Sequence, residues 1–175
     1  MNKQIRPVAV LFAICLVASA LLGFVHNVTA PVAAAIAEER MHNTYVSLMP
    51  TAAKFEERDC DVEGCTAALE AIDHSGNTVG YVVVAQSKGY GGQVPLAVSF
   101  SLDGEVMNAA ILANEETPGL GSRVAEDPYL GQYLGLQAVP RSVEEADLIS
   151  GATISSKAVL NAFNAAVEAY GVISS

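Results

Sequence analysis

The chain has 175 residues, enough for one globular domain with an appendage but not for two full domains. Apolar residues make up 51%, aromatic residues only 6% and Trp is absent, so a core must be built from Val, Leu, Ile and Ala. Nine Lys and Arg against nineteen Asp and Glu give a net charge of −10, which excludes a broad basic surface for nucleic-acid phosphates or anionic lipid. His26, His42 and His74 lie far apart and no Cys-x-x-Cys or His-Glu-x-x-His cluster occurs, so no metal site is legible.

The N-terminal region reads as a membrane anchor. Lys3 and Arg6 precede an uncharged run over residues 7–37, in which residues 8–25, VAVLFAICLVASALLGFV, are continuously apolar or small. About 18 to 20 such residues cross a bilayer core as a helix. Glu38 and Glu39 follow on the far side. The positive-inside rule therefore predicts a cytoplasmic tail over residues 1–6, a single transmembrane helix over 7–26, and an extracytoplasmic remainder at the cell membrane. A cleaved signal peptide competes, because Val28-Thr29-Ala30 resembles a processing site. Its apolar stretch would be roughly twice the usual length, with Pro31 just after the cut. Either reading exports the domain.

Thr29 and Pro31 resemble a helix start and Pro50 a stop, which predicts a connecting helix within residues 27–50 and a domain over 51–175. Cys60 and Cys65, in C-D-V-E-G-C, most simply form a small disulfide loop in an oxidising compartment, or stay as two thiols in an anaerobic one. Their spacing is not the Cys-x-x-Cys of redox dithiols. Next, ALEAID, the turn H-S-G-N and TVGYVVVAQS predict a β-hairpin. VPLAVSFSLDGEVMNAAILAN predicts another, turning at Leu102-Asp103-Gly104-Glu105. The glycine-rich loops S-K-G-Y-G-G-Q and E-E-T-P-G-L-G-S-R border strand ends, where a backbone can approach a ligand closely.

The last predicted element is a helix over residues 155–170, ended by Gly171. Val159, Phe163, Ala166 and Tyr170 form its apolar face, while Asn161, Asn164 and Glu168 point elsewhere. Replacing Phe163 is therefore expected to cost stability, and replacing Asn164 to do little. The fold class is α+β, an antiparallel sheet with helices at both ends of the chain.

Between the sheet and that helix, residues 147–157 read D-L-I-S-G-A-T-I-S-S-K. Ser150 or Thr153 could simply cap the helix. A serine hydrolase fails on detail: there is no Gly-x-Ser-x-Gly, and a Ser-x-x-Lys ending at Lys157 would need a serine where Ile154 stands. No Walker loop occurs. An anion site stays open beside the cap, because a small-residue turn feeding a helix N-terminus presents free N–H groups and a positive dipole end.

The pattern D-x-x-S-G-A-T-x-S, made by Asp147, Ser150, Gly151, Ala152, Thr153 and Ser155, resembles the flavinylation motif of FMN-binding domains. These domains occur in the G subunit of the Rnf complex and in the C subunit of the sodium-translocating NADH:quinone reductase. Lys88, Gly89, Tyr90, Gly91 and Gly92 resemble the family's K-G-x-G-G loop, and residues 116–121 its E-T-P-G-L-G segment. The order of parts is similar along essentially the whole chain, and the compact length is similar to the Rnf protein.

The resemblance implies one covalent FMN per chain, joined through its phosphate to Thr153 by an extracytoplasmic flavin transferase with FAD as donor. It implies Ser150, Gly151 and Ala152 as the turn around the phosphate, and Thr117, Pro118, Gly119, Leu120 and Gly121 as the loop near the isoalloxazine. Glu116 either bonds the ring or is a solvated acid, and Lys157 could pair with the phosphate. The implied role is electron relay among integral-membrane and peripheral subunits of a complex that couples ferredoxin and NAD to ion translocation. The C subunit of a sodium-translocating NADH:quinone reductase, a standalone flavinylated reductase and a reversible phosphate-ligand module are the other readings.

Overall fold

The computed structural model describes residues 5–174 and begins with one helix where the sequence suggests two segments. Helix α1 runs unbroken over Ile5–Leu48 with Pro31 inside it. Lys3 lies outside the described residues, as does the side chain of Arg6. Thr29, expected near a helix start, instead donates its hydroxyl back to the Val25 carbonyl at 2.9 Å, as a mid-helix Thr does. Pro31 removes one rung of the ladder, but alanine, the strongest helix former, stands close by on both sides and the helix continues. Among the described residues, this is the one helix long and apolar enough to cross a membrane.

The chain divides into two units, Met1–His42 and Asn43–Ser175. The second starts ahead of Pro50, because Leu48, the last residue of α1, and Met49 just after it are buried in it. Its sheet is an antiparallel meander of five strands in sequence order: β1 (Lys54–Arg58), β2 (Cys65–Ile72), β3 (Thr78–Lys88), β4 (Gln93–Phe100) and β5 (Val106–Ile111). Both expected hairpins are present. β3 also pairs with β4 from Tyr81↔Phe100 to Lys88↔Gln93, so the glycine loop at 89–92 is itself a hairpin turn.

Strand β1, KFEER, carries no apolar alternation that sequence reading could use. It pairs with β2 because Phe55 packs beside Tyr45, ring centroids 5.9 Å apart, and Arg58 Nε donates to Glu70 Oε2 at 2.7 Å. The sheet is covered on both faces. Val82, Val84, Leu69 and Ala97 meet Leu48 and Met49, while Val83, Ala85, Leu96, Val98 and Phe100 meet the C-terminal helix (Thr153–Ile173). Two-sided cover accounts for the unbroken apolar run Val82-Val83-Val84-Ala85 in β3.

Between β5 and the C-terminal helix lie a four-residue helix, α2 (Asp127–Leu130), and short 3-10 turns. The C-terminal helix, α3 (Thr153–Ile173), buries Val159, Phe163, Ala166 and Tyr170 as expected. It does not stop at Gly171 but runs on to Ile173, with the Ser174 N–H bonded to the Tyr170 carbonyl at 3.0 Å. Gly171 is exposed and keeps the helical conformation, which its missing Cβ weakens without ending. Asn164 is half-buried rather than idle. Its Oδ1 accepts from the Arg141 N–H and its Nδ2 donates to the Arg141 carbonyl, both at 2.8 Å, which fastens the 139–142 loop to α3.

Candidate functional site

Three segments far apart in sequence converge at the start of α3: the glycine hairpin at 89–92, the loop after β5 through residues 114–121, and the turn at 150–152. The side chain that joins them is Glu116, only 4% exposed. Its Oε1 accepts from the backbone N–H groups of Tyr90 at 2.9 Å and Gly91 at 3.0 Å. Its Oε2 accepts from the Ser155 hydroxyl. Glycine is needed for this approach. A Cβ at Gly89 would strike Glu116 Oε1 and Val94 Cγ2, one at Gly91 would strike the Glu115 carbonyl, and one at Gly121 would crowd Glu116 Oε2 and Ser155 Oγ.

The loop carrying Glu116 is held from within. Asn114 Oδ1 accepts from the Glu116 N–H at 3.1 Å, and Asn114 Nδ2 donates to the Ser122 carbonyl at 3.1 Å. Ser122 Oγ accepts from the Gly119 N–H at 2.9 Å, and the Leu120 N–H returns to the Thr117 carbonyl at 3.2 Å. Local polar side chains thus replace the sheet ladder that ends with β5.

Neither hydroxyl expected to cap α3 does so. The capping position is Ala152, with no side-chain cap bond, and Thr153 is the first helical residue. Gly151, at φ +83°, makes the left-handed turn that brings the Ala152 N–H to the Ile149 carbonyl at 2.9 Å. Buried Ser156 completes the turn: its Oγ accepts from the Ile149 N–H at 3.0 Å, and its carbonyl accepts from the Tyr129 hydroxyl at 3.2 Å. The first-turn N–H groups of Thr153, Ile154 and Ser155 consequently have no intrahelical acceptor.

Above this helix end lies an open cleft of about 520 Å³, lined by Tyr90, Glu116, Thr117, Leu120, Gly121, Gly151, Ala152, Thr153, Ile154 and Ser155. Its size is ordinary for a small-molecule site. The structure therefore gathers seven of the expected residues: Gly151, Ala152, Thr153, Glu116, Thr117, Leu120 and Gly121. Ser150, Pro118, Gly119 and Lys157 are exposed and do not line the cleft. Lys157 sits one turn beyond Thr153 and has no ion pair among the described residues.

Of the two readings open to Glu116, the solvated acid does not hold, because the residue is buried with both oxygens engaged. Sequence reasoning assigns no site role to Tyr90, Ile154 or Ser155. Tyr90 is 72% and Ile154 55% exposed, and with Leu120 they present bare apolar surface at the cleft. The only signal for them is position: Tyr90 stands inside the glycine loop, and Ile154 and Ser155 directly follow Thr153 within the S-G-A-T-x-S motif.

Cys60 and Cys65 lie elsewhere, half-buried in a polar pocket of about 240 Å³ shared with Arg58, Asp59 and Thr66. Both are free thiols. Burial first, and the adjoining Cys60 second, push the Cys65 thiol up to about 12. Cys65 Sγ also donates to the Ala67 carbonyl at 3.7 Å, across a bulge in the β2–β3 register.

The likeness to known proteins includes the cleft and extends over most of the chain. The FMN-binding domain family matches residues 89–168, a span that contains all three converging segments. The G subunit of the proton-translocating ferredoxin:NAD(+) oxidoreductase complex of Clostridium ljungdahlii is 34% identical over 161 residues, 88% of this chain and 84% of that one. The G subunit of the ion-translocating oxidoreductase complex of Methanosarcina acetivorans is 33% identical over 178 residues, 95% of each. Among solved structures, Shewanella oneidensis NqrC shares the fold at a TM-score of 0.51 and 21% identity, covering 73% of this chain and 71% of that one. With residues 89–168 matching the FMN-binding domain, the chain belongs to the family of G subunits of Rnf-type ion-translocating oxidoreductase complexes.

Proposed function

We propose that this chain is the flavin-bearing electron-transfer subunit of an Rnf-type ferredoxin:NAD+ oxidoreductase complex, with one FMN joined through its phosphate to Thr153. The observation that carries this reading is the place of Thr153: exposed, first in α3, lining a cleft, in a first turn whose N–H groups have no intrahelical acceptor. The residues present fit the cofactor. The α3 N-terminus suits a phosphate by its donors and dipole, and Tyr90, Leu120 and Ile154 offer apolar surface to a planar ring. FMN would supply reversible electron uptake, and the protein holds it in place and sets its surroundings. Ser150, Pro118 and Gly119 shape the turns from outside the cleft, while Lys157 is free to approach a phosphate from the next turn.

Attachment needs a flavin transferase. The Thr153 Oγ1–P bond forms as the pyrophosphate of FAD breaks, AMP leaves, and the hydroxyl proton is released. The other subunits of the complex are the partners that deliver and remove electrons. The test is a denaturing gel of the chain made with the transferase and exported. A fluorescent flavin band is expected, and a dark band would leave only reversible binding or none.

The same proposal places α1 across the cell membrane with the flavin domain outside. A protease-accessible reporter fused after residue 175 should be cut in whole cells. A reporter reached only after cell lysis would reverse the topology. In an exported domain, Cys60 and Cys65 are also placed to form a bridge, passing two electrons and two protons to a disulfide oxidant. Peptide mass after exposure to oxidised glutathione should fall by two hydrogens. Glutathione adducts on both thiols would count against pairing.

A further inference from the structure

We infer that Glu116 is a latch, a positioning residue that holds the cleft in its binding shape before any ligand arrives. The inference rests on the cleft being the flavin site. The glycine hairpin is closed at its base by the Gly89 N–H on the Gly92 carbonyl at 2.8 Å and by the Lys88↔Gln93 pair, but these bonds do not tie its tip to the cleft. Of residues 89–92 three are glycine, and the fourth, Tyr90, is 72% exposed, so the turn buries almost no side chain of its own. Its tie to the cleft is the pair of N–H bonds from Tyr90 and Gly91 to Glu116 Oε1.

The other carboxylate oxygen is held by Ser155 in the first turn of α3, 39 residues away in sequence. One side chain therefore fixes the distance between the hairpin and the helix end that carries Thr153. Its charge has no ion-pair partner among the described residues. Backbone N–H dipoles and the α3 N-terminus compensate it instead. Ser155 donates inward to this carboxylate, which leaves Thr153 as the hydroxyl of this turn that lines the cleft without a hydrogen-bond partner among the described residues.

The geometry distinguishes shape from charge. In Glu116→Gln the amide oxygen can still accept from Tyr90 and Gly91, and the amide nitrogen can donate to Ser155 Oγ, because a hydroxyl both donates and accepts. The latch survives while the charge is lost. Glu116→Ala removes both.

The test uses the full chain in detergent in two forms. In the flavin-free chain, amide exchange at Tyr90 and Gly91 should be about tenfold faster or more in Glu116→Ala, as expected for losing bonds to a charged acceptor, and near wild type in Glu116→Gln. In the chain made with the transferase, flavin on Thr153 should fall severalfold in Glu116→Ala and be restored in Glu116→Gln. The midpoint potential of the Glu116→Gln flavin should be higher than wild type, because a negative charge that opposes electron uptake is gone. If Glu116→Ala does not fold, Ser155→Ala carries the test, with exchange between the two extremes.

Unchanged exchange and full flavin loading in Glu116→Ala would overturn the latch while leaving the flavin reading intact. A wild-type chain without flavin would remove that reading, and the flavin-free exchange data would still decide the latch.

Discussion

Phe163→Ala is expected to destabilise the second unit by about 3–5 kcal/mol, the usual cost of deleting a fully buried aromatic ring. The ring is 0% exposed and lies 4.6 Å from that of Tyr133, in the cluster where α3 meets the sheet. Its removal leaves a cavity between α3 and the 131–133 turn, which backbone on both sides prevents from closing. The 139–142 loop is fastened one residue along, so Asn164→Ala is expected to cost about 1–3 kcal/mol through the lost pair of bonds to Arg141. Urea unfolding followed by circular dichroism reads both. A Phe163→Ala change within error would mean that this face of α3 is not packed as described.

The contrast between these two neighbours shows what sequence can and cannot supply. Val159, Phe163, Ala166 and Tyr170 recur at helical spacing, and a period of that kind reports burial directly. Asn164 shows no such sign, because its partner is the backbone of residue 141, and a backbone partner has no sequence signature. Strand β1 is hidden for a related reason: K-F-E-E-R gains its place from Phe55 beside Tyr45 and from Arg58 on Glu70, contacts made across the fold. In α1, the local signal at Thr29 and Pro31 yields to the helix propensity of the alanines around it.

The candidate site divides the same way. Gly151, Ala152 and Thr153 are adjacent in one motif, and their meeting at the cleft needs only a turn before a helix. The role of Glu116 depends on donors 26, 25 and 39 residues away, so the sequence offers only the acid and its glycine neighbours. Ser155 stands within the S-G-A-T-x-S motif, yet nothing local indicates that its hydroxyl faces Glu116 rather than a phosphate.

Thr153→Ala is expected to abolish the covalent flavin completely while leaving the fold intact. Thr153 is exposed, is not the helix cap, and its hydroxyl has no partner among the described residues, so its loss removes no packing or polar contact. Alanine is also the better helix former at that position. The thermal midpoint of flavin-free Thr153→Ala should therefore match that of the flavin-free wild type. A substantial drop would show that Thr153 holds the helix end rather than a cofactor. Thr153→Ser keeps a hydroxyl and should retain some label, which separates loss of the attachment atom from damage to the cleft.

The most direct measurement is the mass of the native chain, purified from membranes of cells that make the transferase, before and after proteolysis. The intact chain should exceed its sequence mass by one FMN less one water, and the peptide containing residues 150–157 should carry the whole addition, with fragmentation placing it on Thr153. An unmodified peptide from chain that was exported in the presence of the transferase, or the addition on any other residue, would contradict the assignment of Thr153 as the flavin attachment point.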